Sequence, residues 1–340
     1  MSILKNKDRY EGQGKRGKQL NLSTALADTM NPENYIAGPG LQKAVNVALA
    51  LGQPLLVTGD PGTGKTQLSA SIAFEYDLPL LSFHVKSTSV AQDLFYQYDA
   101  IRRFQDSYDS KKEINPINYI NFKALGLAIL LSLPKEEADP FLPDEYKGRG
   151  PTRSVILLDE IDKAPRDLPN DVLLEIEHME FDIKEVDKPL NTEKRKNPPF
   201  KADENYRPIV VITSNSEKNL PDAFLRRCVF YHIPFPDDDA LQTIIKRRFK
   251  TDPVISQKLS NEFTLAAIKH FKSIQNLNLK KKPSTAELLA WFNILYALDL
   301  DITNLTEDIK HSYTVLAKNH EDLTNMERFL MRVIEDAKEA

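Results

Sequence analysis

The chain has 340 residues, 41% of them hydrophobic and 28% charged, with a net charge of −4 and one cysteine, Cys228. That is an ordinary globular composition with room for two cores, or one core and a lid; it excludes an internal disulfide and gives no global argument for nucleic-acid binding. No apolar stretch approaches the roughly 20 residues needed to cross a bilayer, the longest being 124–133, so no membrane association is expected.

Residues 1–31 read as a flexible basic tail. Lys5, Lys7, Arg9, Lys15, Arg16 and Lys18 are interrupted by Asp8 and Glu11, with no apolar signal core, and the chain is expected to be cytoplasmic. Over 39–50 the spacing of Leu41, Ala44, Val45, Val47 and Ala48 predicts a helix, stopped by Gly52-Gln53-Pro54. A buried strand at 55–58 then runs into GDPGTGKT at 59–66, followed by a helix over 65–76 and a strand within 78–85. Apolar runs at 154–158, 209–213 and 229–233 predict three further strands. Short apolar strands alternating with helices indicate a parallel sheet covered on both faces.

Beyond Pro236 only helical periodicity remains, at 239–249, 262–274, 284–298, 307–316 and 321–338. Ser284-Thr285-Ala286-Glu287 fits a capping box, in which serine and glutamate satisfy orphan helix amides. The predicted fold is thus α/β: a P-loop NTPase three-layer αβα core over 32–236, then a small all-α lid domain over 237–340. Two stretches exceed a minimal core. Residues at about 93–121 read as an inserted helix and loop, and 181–206 as a projecting hairpin with a Pro/Asn/Lys-rich tip.

Four segments carry the chemistry. In GDPGTGKT, Gly59, Gly62 and Gly64 let the backbone curl so that amides face phosphate oxygens; Lys65 adds charge for the β and γ phosphates, and Thr66 offers a hydroxyl to Mg²⁺. With Asp60, Pro61, Thr63 and the following Gln67, they form the candidate nucleotide-binding segment. The run Val155-Ile156-Leu157-Leu158-Asp159-Glu160 ends an apolar strand in two carboxylates. Asp159 suits the Mg²⁺ shell and Glu160 suits a base that polarises water, which favours hydrolysis over transfer to a small molecule. Asn215, after the strand at 209–213, is suited to reach a γ-phosphate and orient the water. Arg226 and Arg227, just before the last strand, read either as a solvated helix end or as cations projecting into a neighbouring subunit's site. Taken alone, the solvated helix end is the simpler reading of these two.

The order GDPGTGKT, VILLDEID, VVITSN, LPDAFLRRC, then helices resembles the AAA+ ATPases over roughly 36–298, and looks most like their MoxR-type, dynein-related branch. The resemblance implies ATP and Mg²⁺ as cofactors. It also implies hydrolysis at subunit interfaces of a homo-oligomer, a hexameric ring or spiral, that remodels a protein client. By the same resemblance Asn215 is the sensor 1 residue, Arg227 the arginine finger and Arg226 its alternate. A partner with a von Willebrand factor A domain, or a role in assembly or defence, is the family expectation. The alternative is a nucleic-acid-linked motor, suggested by Arg102-Arg103, Lys111-Lys112 and Lys194-Arg195-Lys196 in the inserts. In one respect the chain departs from its relatives. Where many begin the third lid helix with an arginine, this chain reads Lys280-Lys281-Lys282-Pro283-Ser284-Thr285-Ala286-Glu287.

Overall fold

The computed structural model describes residues 31–108, 115–185, 199–215, 220–250 and 259–339. Strands Leu55–Thr58 (β1) and Val155–Asp159 (β5) are buried at every position, and Ile209–Ser214 (β8) at all but the first. Leu80–His84 (β2) and Val229–His232 (β9) are only partly buried. A strand covered on both faces must be apolar throughout, so the continuous runs belong in the middle of the sheet. The observed order is β2–β5–β8–β1–β9, with every pairing parallel. This αβα core matches the expected class.

The register puts the carboxyl ends of the strands in one row. His84 lies opposite Asp159, Thr58 opposite Ser214, and Thr58 opposite His232 on its other side. Polar residues therefore gather along one edge of an apolar sheet. Helix Pro39–Leu51 (α1) begins with proline at its first position and ends where Gly52 turns left-handed at φ 62°. Helix Lys65–Glu75 (α2) starts inside the phosphate loop and buries Leu68, Ile72 and Ala73.

The insert holds more than the expected helix and loop. Tyr96–Tyr98 (β3) pairs antiparallel with Ile120–Phe122 (β4), and helix Ala100–Ser107 (α3) lies between them in sequence. Strands of three residues are too short to show a period, which is why alternation did not reveal them. Helix Ala124–Ser132 (α4) follows and is almost wholly buried, then the short Lys135–Ala138 (α5). After helix Leu168–His178 (α6), Glu180–Phe181 (β6) pairs antiparallel with Phe200–Lys201 (β7), Phe181 opposite Phe200. That pair is the base of the expected hairpin, whose tip at 186–198 lies outside the described residues. Aromatic rings join insert and hairpin: Phe95 stacks on Phe181 at 5.2 Å, and Phe200 meets Phe181 at 5.3 Å and Phe141 at 4.8 Å. The short helix Asp222–Leu225 (α7) leads into β9.

Among the described residues the remaining α-helices are Asp238–Arg248 (α8), Asn261–Gln275 (α9), Thr285–Ala297 (α10) and His320–Glu339 (α11). Their shared core includes Leu241, Phe271, Trp291, Phe292 and Met326, all fully buried. The capping box is present at α10, with Ser284 N donating to Glu287 Oε2 at 3.0 Å. The segment expected as an α-helix at 307–316 is instead a 3-10 helix, Glu307–Thr314. Ser312 Oγ donates there to Ile309 O at 2.6 Å and accepts from Trp291 Nε1 at 2.7 Å, a side-chain bond that competes with the α ladder. The described residues divide into two compact units, one within 37–59 and 65–233, the other within 31–36, 60–64 and 234–339. Among the described residues no helix is long and apolar enough to cross a membrane.

Candidate active site

The row of strand ends brings together residues far apart in sequence. Asp159 closes β5 and is buried, with contacts on both carboxylate oxygens. Thr66 Oγ1 donates to Asp159 Oδ1 at 3.0 Å, Thr213 Oγ1 donates to the same oxygen at 2.7 Å, and His84 Nδ1 lies 3.2 Å from Oδ2. The α2 start, the β8 end and the β2 end thus meet on one acid.

Glu160 follows with a left-handed backbone, φ 59°. Side chains with a Cβ adopt that conformation only where the surroundings enforce it. In that conformation Glu160 N donates to Thr213 Oγ1 at 2.9 Å. Asn215 Nδ2 donates to Glu160 Oε1 at 3.4 Å, and Asn215 N donates to Asp162 Oδ1 at 3.1 Å. The Lys163 ammonium contacts Glu160 Oε2, and this bond holds Lys163 above the ordinary lysine pKa. Lys65 is buried, its Nζ donating to Gly59 O at 2.7 Å. A buried ammonium held by its own loop is a charge kept ready for an anion.

At the loop tip, Thr63 bonds back to the Asp60 carbonyl through both its amide (3.3 Å) and its hydroxyl (2.8 Å), with Pro61 and Gly62 exposed on the turn. Gly62 and Gly64 sit at φ 77° and 89°, open to glycine at little cost, so the loop's shape needs them. A Cβ on Gly62 would also collide with Ser284 Oγ and lie 3.1 Å from Ala286 Cβ in the same unit. Gln67 is half-buried on α2.

The two arginines stand elsewhere. Val229 pairs with Leu55, so Arg226 and Arg227, just before β9, lie toward the amino end of the sheet, opposite their own phosphate loop. Both are exposed, and Arg227 Nε is 3.4 Å from Glu177 Oε1 on α6. In the lysine run, Lys280 pairs with Glu321 at 2.5 Å, while the amides of Lys280 and Lys281 donate to buried Asp322 at 2.8 and 3.0 Å. In the insert, Arg103 donates to Tyr98 Oη at 2.7 Å and Arg102 lies over the Tyr119 ring. Lys111, Lys112 and 194–196 lie outside the described residues. Sequence reasoning missed Thr213, His84, Asp162 and Lys163. A hydroxyl inside an otherwise apolar strand was the available signal for Thr213, and the three-residue spacing after Glu160 was the signal for Lys163.

A phosphate loop after β1, an acidic pair after β5 and a polar residue after β8, on a sheet ordered β2–β5–β8–β1–β9, define an AAA+ ATPase. A family model described as the AAA domain of the dynein-related subfamily matches residues 54–228. The chain belongs to that family, whose members bind nucleotide and hydrolyse ATP. No significant match was found among curated proteins. Solved structures of two RuvB variants from Thermotoga maritima are similar at a lower level. One has 16% identity and a TM-score of 0.44 over 81% of this chain and 67% of that one; the other has 15% and 0.47 over 84% and 73%. Likeness at that level says nothing of what this chain acts on.

Proposed function

We propose that the chain is a MoxR-like ATPase that hydrolyses ATP at the subunit interfaces of an oligomeric ring or spiral and uses the energy to remodel a protein partner. The observation that carries the hydrolytic part is the Thr66–Asp159–Thr213–Glu160–Asn215 network, five residues from three chain segments converging on one strand edge. In this reading Gly59 to Gln67 cradle the triphosphate, Lys65 leaves the Gly59 carbonyl for the β and γ phosphates, Glu160 accepts a proton from the attacking water, and Asn215 orients that water.

The donor set fits Mg²⁺. Thr66 Oγ1 and Asp159 Oδ1 are hard oxygens on neighbouring elements, and among the described residues no group of three or more His, Cys, Asp or Glu could hold a metal alone. That pattern suits an ion held by one carboxylate together with substrate phosphates. When bound, Mg²⁺ would neutralise charge on the β and γ phosphates, with Thr66 and Asp159 as its protein ligands.

Interface hydrolysis is supported by the position of Arg226 and Arg227 at the end of the sheet away from their own loop, a placement that suits contact with another subunit's nucleotide. Members of the wider family usually assemble into rings. In this reading the client is a protein, including one with a von Willebrand factor A domain. Affinity capture with Glu160→Gln in ATP tests it: a recovered protein that stimulates the wild-type ATPase supports the reading. Steeply salt-dependent nucleic-acid binding with stimulated hydrolysis, and no protein partner, would favour the motor of a nucleic-acid complex.

A further inference from the structure

Glu160 has three rotatable side-chain bonds, and a general base must hold one oxygen toward water. Asn215 alone is a weak restraint, because its 3.4 Å contact with Glu160 Oε1 lies at the long limit of a hydrogen bond. The second oxygen is held from an unexpected direction. After Glu160 the chain makes a 3-10 turn, Ile161–Lys163, in which Lys163 N donates to Glu160 O at 3.0 Å. That turn swings the Lys163 side chain back over Glu160, with its ammonium on Oε2. The same turn presents Asp162 to the Asn215 amide. Glu160, Asp162, Lys163 and Asn215 therefore close a circuit in which each end of the glutamate carboxylate has its own donor.

We infer that Lys163 is a positioning residue for ATP hydrolysis: its ammonium, about half exposed, lies on Glu160 Oε2 and, with Asn215 on Oε1, biases the plane of the carboxylate. The inference rests on the proposed role of Glu160 as base. Two anchored oxygens define an orientation that one anchored oxygen does not, and orientation is where catalytic rate is lost when a group drifts by an ångström. Lys163 supplies charge rather than shape, so another cation of similar reach can do the same.

The test compares wild type, Lys163→Met, Lys163→Arg and Glu160→Gln as full chains, by steady-state ATP hydrolysis and by binding of a fluorescent ATP analogue. Lys163→Met is expected to lose tenfold or more in kcat, on the order of what misplacement of a catalytic group costs. KM and analogue affinity should stay within about twofold of wild type. Lys163→Arg should recover most of kcat. Unchanged or raised kcat in Lys163→Met overturns the inference, the raised value marking a restraint rather than an aid. A loss that Lys163→Arg does not recover, or that comes with lost analogue binding, also overturns it and marks a structural role. Glu160→Gln separates the two levels: if it hydrolyses normally the base assignment fails, whereas an inactive Glu160→Gln beside a fully active Lys163→Met sinks only the role of Lys163.

Discussion

Thr213 is bound to Asp159 through a 2.7 Å hydrogen bond, and the same hydroxyl accepts the amide of Glu160 at 2.9 Å. One side chain on β8 thus fixes both acids at the end of β5. Thr213→Val keeps the shape and removes both bonds, leaving the part-buried Glu160 amide and the buried Asp159 carboxylate each short of one partner. Unfolding by urea should show a loss of about 1–3 kcal/mol, and ATP hydrolysis should fall as well. Thr213→Ser should retain both properties. Stability equal to wild type in the valine variant would show that the hydroxyl is dispensable.

Lys65 and Glu160 should fail in different ways. Lys65→Ala removes the charge held ready by Gly59 O, so binding of a fluorescent ATP analogue should be lost. Glu160→Gln keeps a side chain of the same size and should bind ATP normally. Its phosphate release should fall by about 10²-fold or more, with the assembled form accumulating on a sizing column.

Arg227 tests whether the site is shared. Its pair with Glu177 is about half exposed and should contribute at most about 1 kcal/mol. Arg227→Ala should therefore melt close to wild type and bind ATP, yet hydrolyse poorly. Mixed with Lys65→Ala subunits, whose arginines are intact, it should regain activity. No regain on mixing, with hydrolysis restored neither there nor in a parallel Arg226→Ala experiment, would rule out a shared site.

The helical unit carries a pH dependence of its own. His270 is buried among Trp291, Tyr313 and Phe329, with Nε2 2.6 Å from Tyr313 Oη. Burial pushes its pKa down to about 4 from 6.5, so the folded unit keeps the ring neutral. The unfolded chain takes up a proton below pH 6.5 and the folded one only near 4. Stability is therefore flat above pH 6.5 and declines as pH falls toward 4, by roughly 3 kcal/mol in all. Urea midpoints at pH 7 and pH 4.5 should differ for wild type, and the difference should shrink in His270→Gln. Equal shrinkage-free curves for both proteins would assign the acid sensitivity to other groups.

Much of this was legible before folding was considered. The apolar runs that became β1, β5 and β8 are continuous because both faces are covered, and continuity is visible in one dimension. The phosphate loop and the acidic pair are local, so their spacing is written directly in the chain. The insert was read less well, because β3 and β4 are held by cross-strand pairing and by rings such as Phe95 on Phe181 rather than by any period. The 3-10 segment Glu307–Thr314 was missed for a similar reason: Ser312 answers to Trp291, 21 positions away.

By itself the sequence determined the class of fold, the loop and the pair of acids, since local spacing and burial pattern suffice for those. Only the tertiary structure decided which groups hold the acids in place. Thr213 and His84 lie on strands, and Asn215 directly after one, whose neighbours are chosen by hydrogen bonding across the sheet, and a linear pattern carries no strand order. Lys163 is close to Glu160 in sequence, yet its contact follows a left-handed turn at Glu160 whose amide is bonded to Thr213 on another strand.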